Sequence, residues 1–189
     1  MPVAWRQHEF VHLFARGTGL NNHGPSILKV DDNVLLDHAF YKGLYLGILD
    51  RRDLSLVHSG FYNTSTYKTN EGEGKVSHGD LETYRDFYNA HEMALKIREY
   101  DYNYFVVVLS QVSWESNFSV ELGDVLMHCG ALNVQEITNH FSPRFGNKTT
   151  ESSLFSKDKF VRSNEHHPYA FVGIPGLSPG MGFERLRSN

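Results

Sequence analysis

The sequence predicts an α+β fold: an antiparallel β-sandwich with two helices packed on it. Three observations predict it. Short runs of alternating apolar and polar residues, separated by polar turns, occupy the N-terminal third of the chain. Two later segments, ending near Ile97 and Cys129, return apolar side chains at helical spacing. Between them Asn103 to Ser110 is a continuous apolar run rich in β-branched residues, the mark of a strand covered on both faces.

The elements follow in order. Glu9 to Arg16 reads as the first strand and is broken by Gly17-Thr18-Gly19. Asn21 to Pro25 is turn chemistry throughout. Ser26–Val30 and Val34–Asp37 form a hairpin around Asp31-Asp32-Asn33. Leu44–Leu49 and Leu54–Phe61 form a second, closed by Asp50-Arg51-Arg52-Asp53. The glycine-rich stretch 68–79 is a loop. A helix starts at the capping-box-like pair Ser77 and Asp80 and carries Leu81, Tyr84, Tyr88 and Leu95 to about Ile97. The second helix runs from Ser119 to Cys129, with Leu122, Val125, Leu126 and Cys129 inward and Gly130 ending it. Residues 138–167 show no period and read as an irregular insertion. Tyr169–Gly173 is a short apolar strand, and 174–189, rich in Gly and Pro, reads as an extended C-terminal arm.

At 189 residues the chain suits a single domain, 1–189, with one core. Hydrophobic residues make up 40% of it, enough for a globular fold. The formal charge of -4 offers no basic field for nucleic-acid phosphates, so nucleic acid is excluded as a general partner. No apolar run has the length of a membrane span. The one cysteine, Cys129, cannot close an internal disulfide, and on a helix's apolar face it reads as a small buried hydrophobe rather than a nucleophile.

Lys42-Gly43 through Leu49, Gly60-Phe61-Tyr62-Asn63-Thr64 and Tyr169-Ala170-Phe171-Val172-Gly173, in this order and spacing, resemble segments of the interleukin-like epithelial–mesenchymal transition inducer family (ILEI, or PANDER-like, domains). The resemblance covers about residues 9–134 and 166–176. It implies a non-catalytic β-sandwich module, with no catalytic residue and no cofactor. Some members bind sugars. Their arginine before the strand glycine falls on Lys42 here, and their Arg-Asp pair before the aromatic falls on His166 and His167. Trp114 and Tyr169 would be the rings that stack on a sugar face, although by residue type alone both read as core aromatics. Lys42, Trp114, His166, His167 and Tyr169 are therefore the candidate ligand-binding residues. Secreted animal members commonly carry disulfides, which this chain cannot make, and Met1 to His8 has no apolar leader core. Both features point toward folding in a reducing cytoplasm. A virion part such as a phage tail or fibre, assembled inside a cell and working outside it, reconciles them with an adhesion-type module. A secreted, cytokine-like signalling protein is an alternative.

The other alternative is a zinc-dependent hydrolase. His8-Glu9-Phe10-Val11-His12 fits the H-E-x-x-H pattern, in which one helical face presents two zinc ligands and the glutamate activates water. The residues after His12 lack the spacing of the extended motif, and the resemblance makes this stretch a strand, so no metal is expected there. Asp31-Asp32 and Asp50 with Asp53 read as turn residues before they read as a Ca²⁺ site. The sequence thus predicts a binding or structural module of a larger extracellular or virion assembly. Its partners are other proteins, met through 138–167 and the C-terminal arm, with glycans as a further ligand.

Overall fold

A computed structural model describes residues 11–19, 24–38, 43–64, 79–112, 114–115, 118–134 and 167–186, with 79–88 followed by their backbone. The fold is mixed α+β, with two helices and two antiparallel sheets. The smaller sheet holds β1 (Leu13–Arg16), β2 (Ser26–Val30) and β3 (Asn33–His38) in chain order. The larger holds β4 (Gly43–Asp50), β5 (Leu56–Tyr62), β6 (Tyr104–Gln111), β7 (Tyr169–Gly173) and β8 (Phe183–Leu186), in the order β5-β4-β6-β7-β8. The helices are α1 (Gly79–Arg98) and α2 (Val120–His128).

Position in the sheet explains the apolar runs. β4 and β6 are its inner strands, paired from Gly43 with Gln111 to Asp50 with Tyr104. Leu44, Leu46, Ile48, Val106 and Val108 face one way, into a core shared with Met93 and Ile97 of α1 and Leu122 and Leu126 of α2. Tyr45, Leu49, Val107 and Leu109 face the other way, onto Leu28 and Leu36 of the smaller sheet. Both faces of these strands must therefore be apolar, and the expected doubly covered strand is observed.

Local chemistry sets the ends. The Ser119 hydroxyl accepts the Leu122 N–H at 3.1 Å and caps α2. Gly130, at φ +103°, ends it: Gly130 N–H donates to Met127 O and Ala131 N–H to Leu126 O, the paired bonds of a Schellman motif. In α1 the inward row is Ala90, Met93, Ala94 and Ile97. Leu95, expected on the apolar face, instead points to solvent. Ser77, the expected cap, lies outside the described residues. His91 Nδ1 and Arg98 both reach the Glu121 carboxylate at 2.5 Å and latch α1 to α2. The Asp50 carboxylate takes Arg52 N–H and its guanidinium, bonds that hold Asp50 down to about 2, so this acid serves the β4–β5 turn. No described helix is long and apolar enough to cross a membrane.

The C-terminal segment corrects an expectation. Residues 174–186 do not extend away as an arm. Ile174 N–H donates to Cys129 O, and Gly180 and Gly182 N–H donate to Gly130 O, which ties the segment to the end of α2. Phe183–Leu186 then pairs with β7, Val172 opposite Phe183 and Tyr169 opposite Leu186. A Cβ on Gly130 would stand 2.6 Å from Gly182 N, so the glycines that suggested an irregular tail permit its close docking. Residues 135–166, which hold nearly all of the expected insertion, lie outside the described residues.

Candidate binding surface

Two strand starts meet at one end of the larger sheet. Gly43 of β4 pairs with Gln111 of β6, and Ala170 of β7 pairs with Leu109, so the segments before β4 and before β7 flank the same end of β6. Lys42 and His166 lie outside the described residues. His167, Trp114 and Tyr169 are described, and the fold does bring them together.

Their surroundings are those of a core. Trp114 and Tyr169 are both fully buried, and their rings stack on each other at 4.9 Å. Phe118 meets Trp114 edge-on at 5.4 Å. Trp114 Nε1 donates to His167 O at 2.8 Å. The Glu115 carboxylate accepts His167 N–H at 2.8 Å and Trp114 N–H at 3.1 Å. Tyr169 N–H donates to Ser110 Oγ, whose own proton goes to Thr18 O and ties in the segment that follows β1. In this fold Trp114 and Tyr169 thus present no ring face to solvent. Tyr169 alternates toward the helix layer with Phe171, and α2 and the Trp114 indole cover it.

The Tyr169 hydroxyl donates to Glu184 Oε1 at 2.9 Å. Burial, and then the Glu184 charge, keep this phenol protonated well above its usual range, so it remains a donor. Glu184 also accepts three successive backbone N–H groups: Leu132 and Asn133 at 2.7 Å and Val134 at 3.2 Å. Glu115, Glu184 and Ser110 went unread in the sequence. Glu184 sits in an ordinary alternating run, and nothing local marks an acid whose backbone partners lie 50–52 residues away.

His12 lies exposed just before β1 and outside any helix, its N–H on Asp31 Oδ1. His8 and Glu9 lie outside the described residues. Among the described residues no group of three His, Cys, Asp or Glu is placed to hold a metal ion. Cys129 is buried, and burial pushes its thiol up to about 12, so the reactive thiolate is scarce at neutral pH. Native protein is accordingly expected to resist a thiol reagent such as DTNB and to react with one equivalent on unfolding. Rapid labelling under native conditions would contradict this burial.

Two apolar features of the described surface lie near the C-terminal segment. A groove of about 610 Å³ runs between the end of α1, α2 and the C-terminal segment, with Ile97, Tyr100, Tyr102, Val125 and Pro175 in its walls. Beyond it stand Leu132, Met181 and Phe183, exposed by 51%, 70% and 68%. A Cβ on Gly180 would touch Leu132 Cδ2 at 3.7 Å, so Leu132 lies beside the C-terminal segment, whereas Phe183, opposite Val172, lies on the smaller-sheet face of β8. No protein-family model matches this chain, and no curated protein matches it.

Proposed function

We propose that the chain is a non-catalytic binding and structural module of a larger extracellular or virion assembly, an ILEI-like sandwich in which the three-stranded sheet covers the five-stranded one. One observation carries the reading: Phe183 on β8, the outer strand of its sheet, and Met181 just before it are both large apolar side chains left exposed. An outer strand leaves one row of backbone groups open to pairing, and burying each large side chain on a partner would contribute about 1.5–3 kcal/mol. The buried Glu115 and the half-buried Glu184 support the non-catalytic part. Glu115 and Glu184 both accept backbone N–H groups and so serve architecture. The partners are other proteins of the assembly. Carbohydrate contact, implied by the resemblance, would fall to His167 with positions 42 and 166 and not to the rings of Trp114 or Tyr169.

The test is co-expression with the products of neighbouring genes, with complexes sized by light scattering. Wild-type protein is expected to form a stoichiometric complex. The double variant Met181→Ser, Phe183→Ser should lose roughly a hundredfold or more in affinity while its melting midpoint holds, since both side chains are exposed. Full affinity in the double variant would remove this edge from the interface.

A further inference from the structure

A second recess lies on the opposite face of the larger sheet. The smaller sheet has three strands to the larger sheet's five, and Ser59 and Phe61 of β5 stay exposed. Tyr45 pairs with Phe61 and Gly47 with Ser59, so these four share the face turned toward the smaller sheet. Gly47 makes room there. A Cβ on it would lie 3.2 Å from both Tyr45 Cε1 and Leu28 Cδ2, so the missing side chain lets the tyrosine ring lie against its own strand. The result is a cleft of about 240 Å³ lined by Leu36, Tyr45, Ser59, Phe61, Gln111 and their neighbours.

One polar group in this cleft is unsatisfied. Tyr45 Oη is buried and makes no hydrogen bond. Burial raises its pKa, and the Ser59 hydroxyl, which offsets part of that rise, lies outside hydrogen-bonding geometry. The phenol is therefore a neutral donor without an acceptor, a condition native folds seldom carry unless something else supplies the partner. The other polar walls are pre-set. Gln111 Oε1 accepts Ser26 N–H at 3.0 Å and lies 2.5 Å from Ser26 Oγ, which holds the carboxamide in one orientation.

We propose that this inter-sheet cleft binds a neutral polyhydroxylated ring of monosaccharide size, with Tyr45 Oη donating to a ring substituent. Three features select the class. No charged side chain is among the described lining residues, and a buried ion would be left without a counter-charge. The hydroxyls of Tyr45 and Ser59 and the Gln111 carboxamide suit a ligand with several hydroxyls, while Leu36 and Phe61 supply apolar wall for its C–H face. The cleft, about 240 Å³, lies below the range of about 300–1,000 Å³ that holds larger ligands, which suits a single ring. The site stands on the cleft's own residues and is independent of the assembly surface above.

Saturation-transfer NMR on the full chain tests it, with the methyl glycosides of glucose, galactose and N-acetylglucosamine and with myo-inositol as probes. Glucuronate and phenol serve as charged and apolar comparisons. At least one neutral ring is expected to show transfer, with a Kd on the order of 1 mM for a ligand of about a dozen heavy atoms. Tyr45→Phe removes only the orphan hydroxyl. It should weaken binding about tenfold while the melting midpoint holds or rises. Ser59→Phe, at an exposed position, should fill the mouth and abolish transfer, and it carries the test alone if Tyr45→Phe fails to fold. Transfer to none of the neutral rings, transfer to phenol or glucuronate alone, or transfer unchanged in the folded variants would overturn the proposal.

Discussion

Glu184→Ala is expected to lower stability by about 2–4 kcal/mol, a large effect for a half-buried acid on an outer strand. The carboxylate accepts three consecutive backbone N–H groups and the Tyr169 hydroxyl. Bonds to a charged acceptor are among the stronger ones, and truncation leaves four donors seeking other partners at once. Glu184→Gln should lose less. Its one remaining oxygen can still accept, while its amide nitrogen faces a donor that it cannot satisfy. Urea denaturation gives the magnitude, and amide exchange gives the mechanism: the N–H groups of Leu132, Asn133 and Val134 should exchange faster in the alanine variant. A denaturation midpoint unchanged in both variants would mean that this carboxylate does not hold the segment after α2 to β8.

Tyr169→Ala is expected to cost about 3–5 kcal/mol, the range for deleting a large buried aromatic ring. The ring is fully buried, stacks on Trp114 and belongs to the core that joins the sheet to both helices. Tyr169→Phe isolates the hydroxyl and should cost about 1–2 kcal/mol, because it removes only the bond to Glu184. The pair separates two roles for this residue. A ring serving a ligand at the surface would leave stability nearly untouched when removed. A core ring would take a third or more of a typical domain's stability with it. Wild-type stability in Tyr169→Ala would therefore count against the burial described above and return the ring to the ligand-binding candidates.

These variants mark the boundary between what can be read locally and what cannot. Elements whose signals lie within a few residues were legible. Ser119 and Gly130 bracket α2 because a cap acts on backbone groups within one turn. The β2–β3 turn was legible because Asp31 tolerates its positive φ of 51°. The Val-rich β6 announced a strand covered on both sides. Its cover, the helices on one face and the smaller sheet on the other, is only implied by the apolar pattern.

The candidate site was less legible. Composition at Trp114 and Tyr169 is compatible with either a core or a sugar platform. The choice depends on whether α2 and Phe118 cover the rings, and that is a matter of packing between distant segments. Leu95 carries the same ambiguity on α1. An apolar residue beside a helical stripe is inward or outward according to the rotation of the helix, which its contacts with the sheet decide. Tyr45 looked like one more apolar position in a buried strand. Its orphan hydroxyl exists because Gly47 and the short smaller sheet leave space around it.

The sequence by itself determined the class of the fold, the doubly apolar inner strands, the turns and caps, and a thiol without a partner cysteine. These are consequences of backbone preference and side-chain period, which act over a handful of residues. Tertiary structure decided that the glycine- and proline-rich tail returns as β8, that Glu184 holds a segment 50–52 residues before it, and that the two sheets leave a cleft at Tyr45. Each depends on contacts between segments far apart in the chain. Their free energy is realised only when both surfaces are already formed, so neither partner carries a local mark of the other.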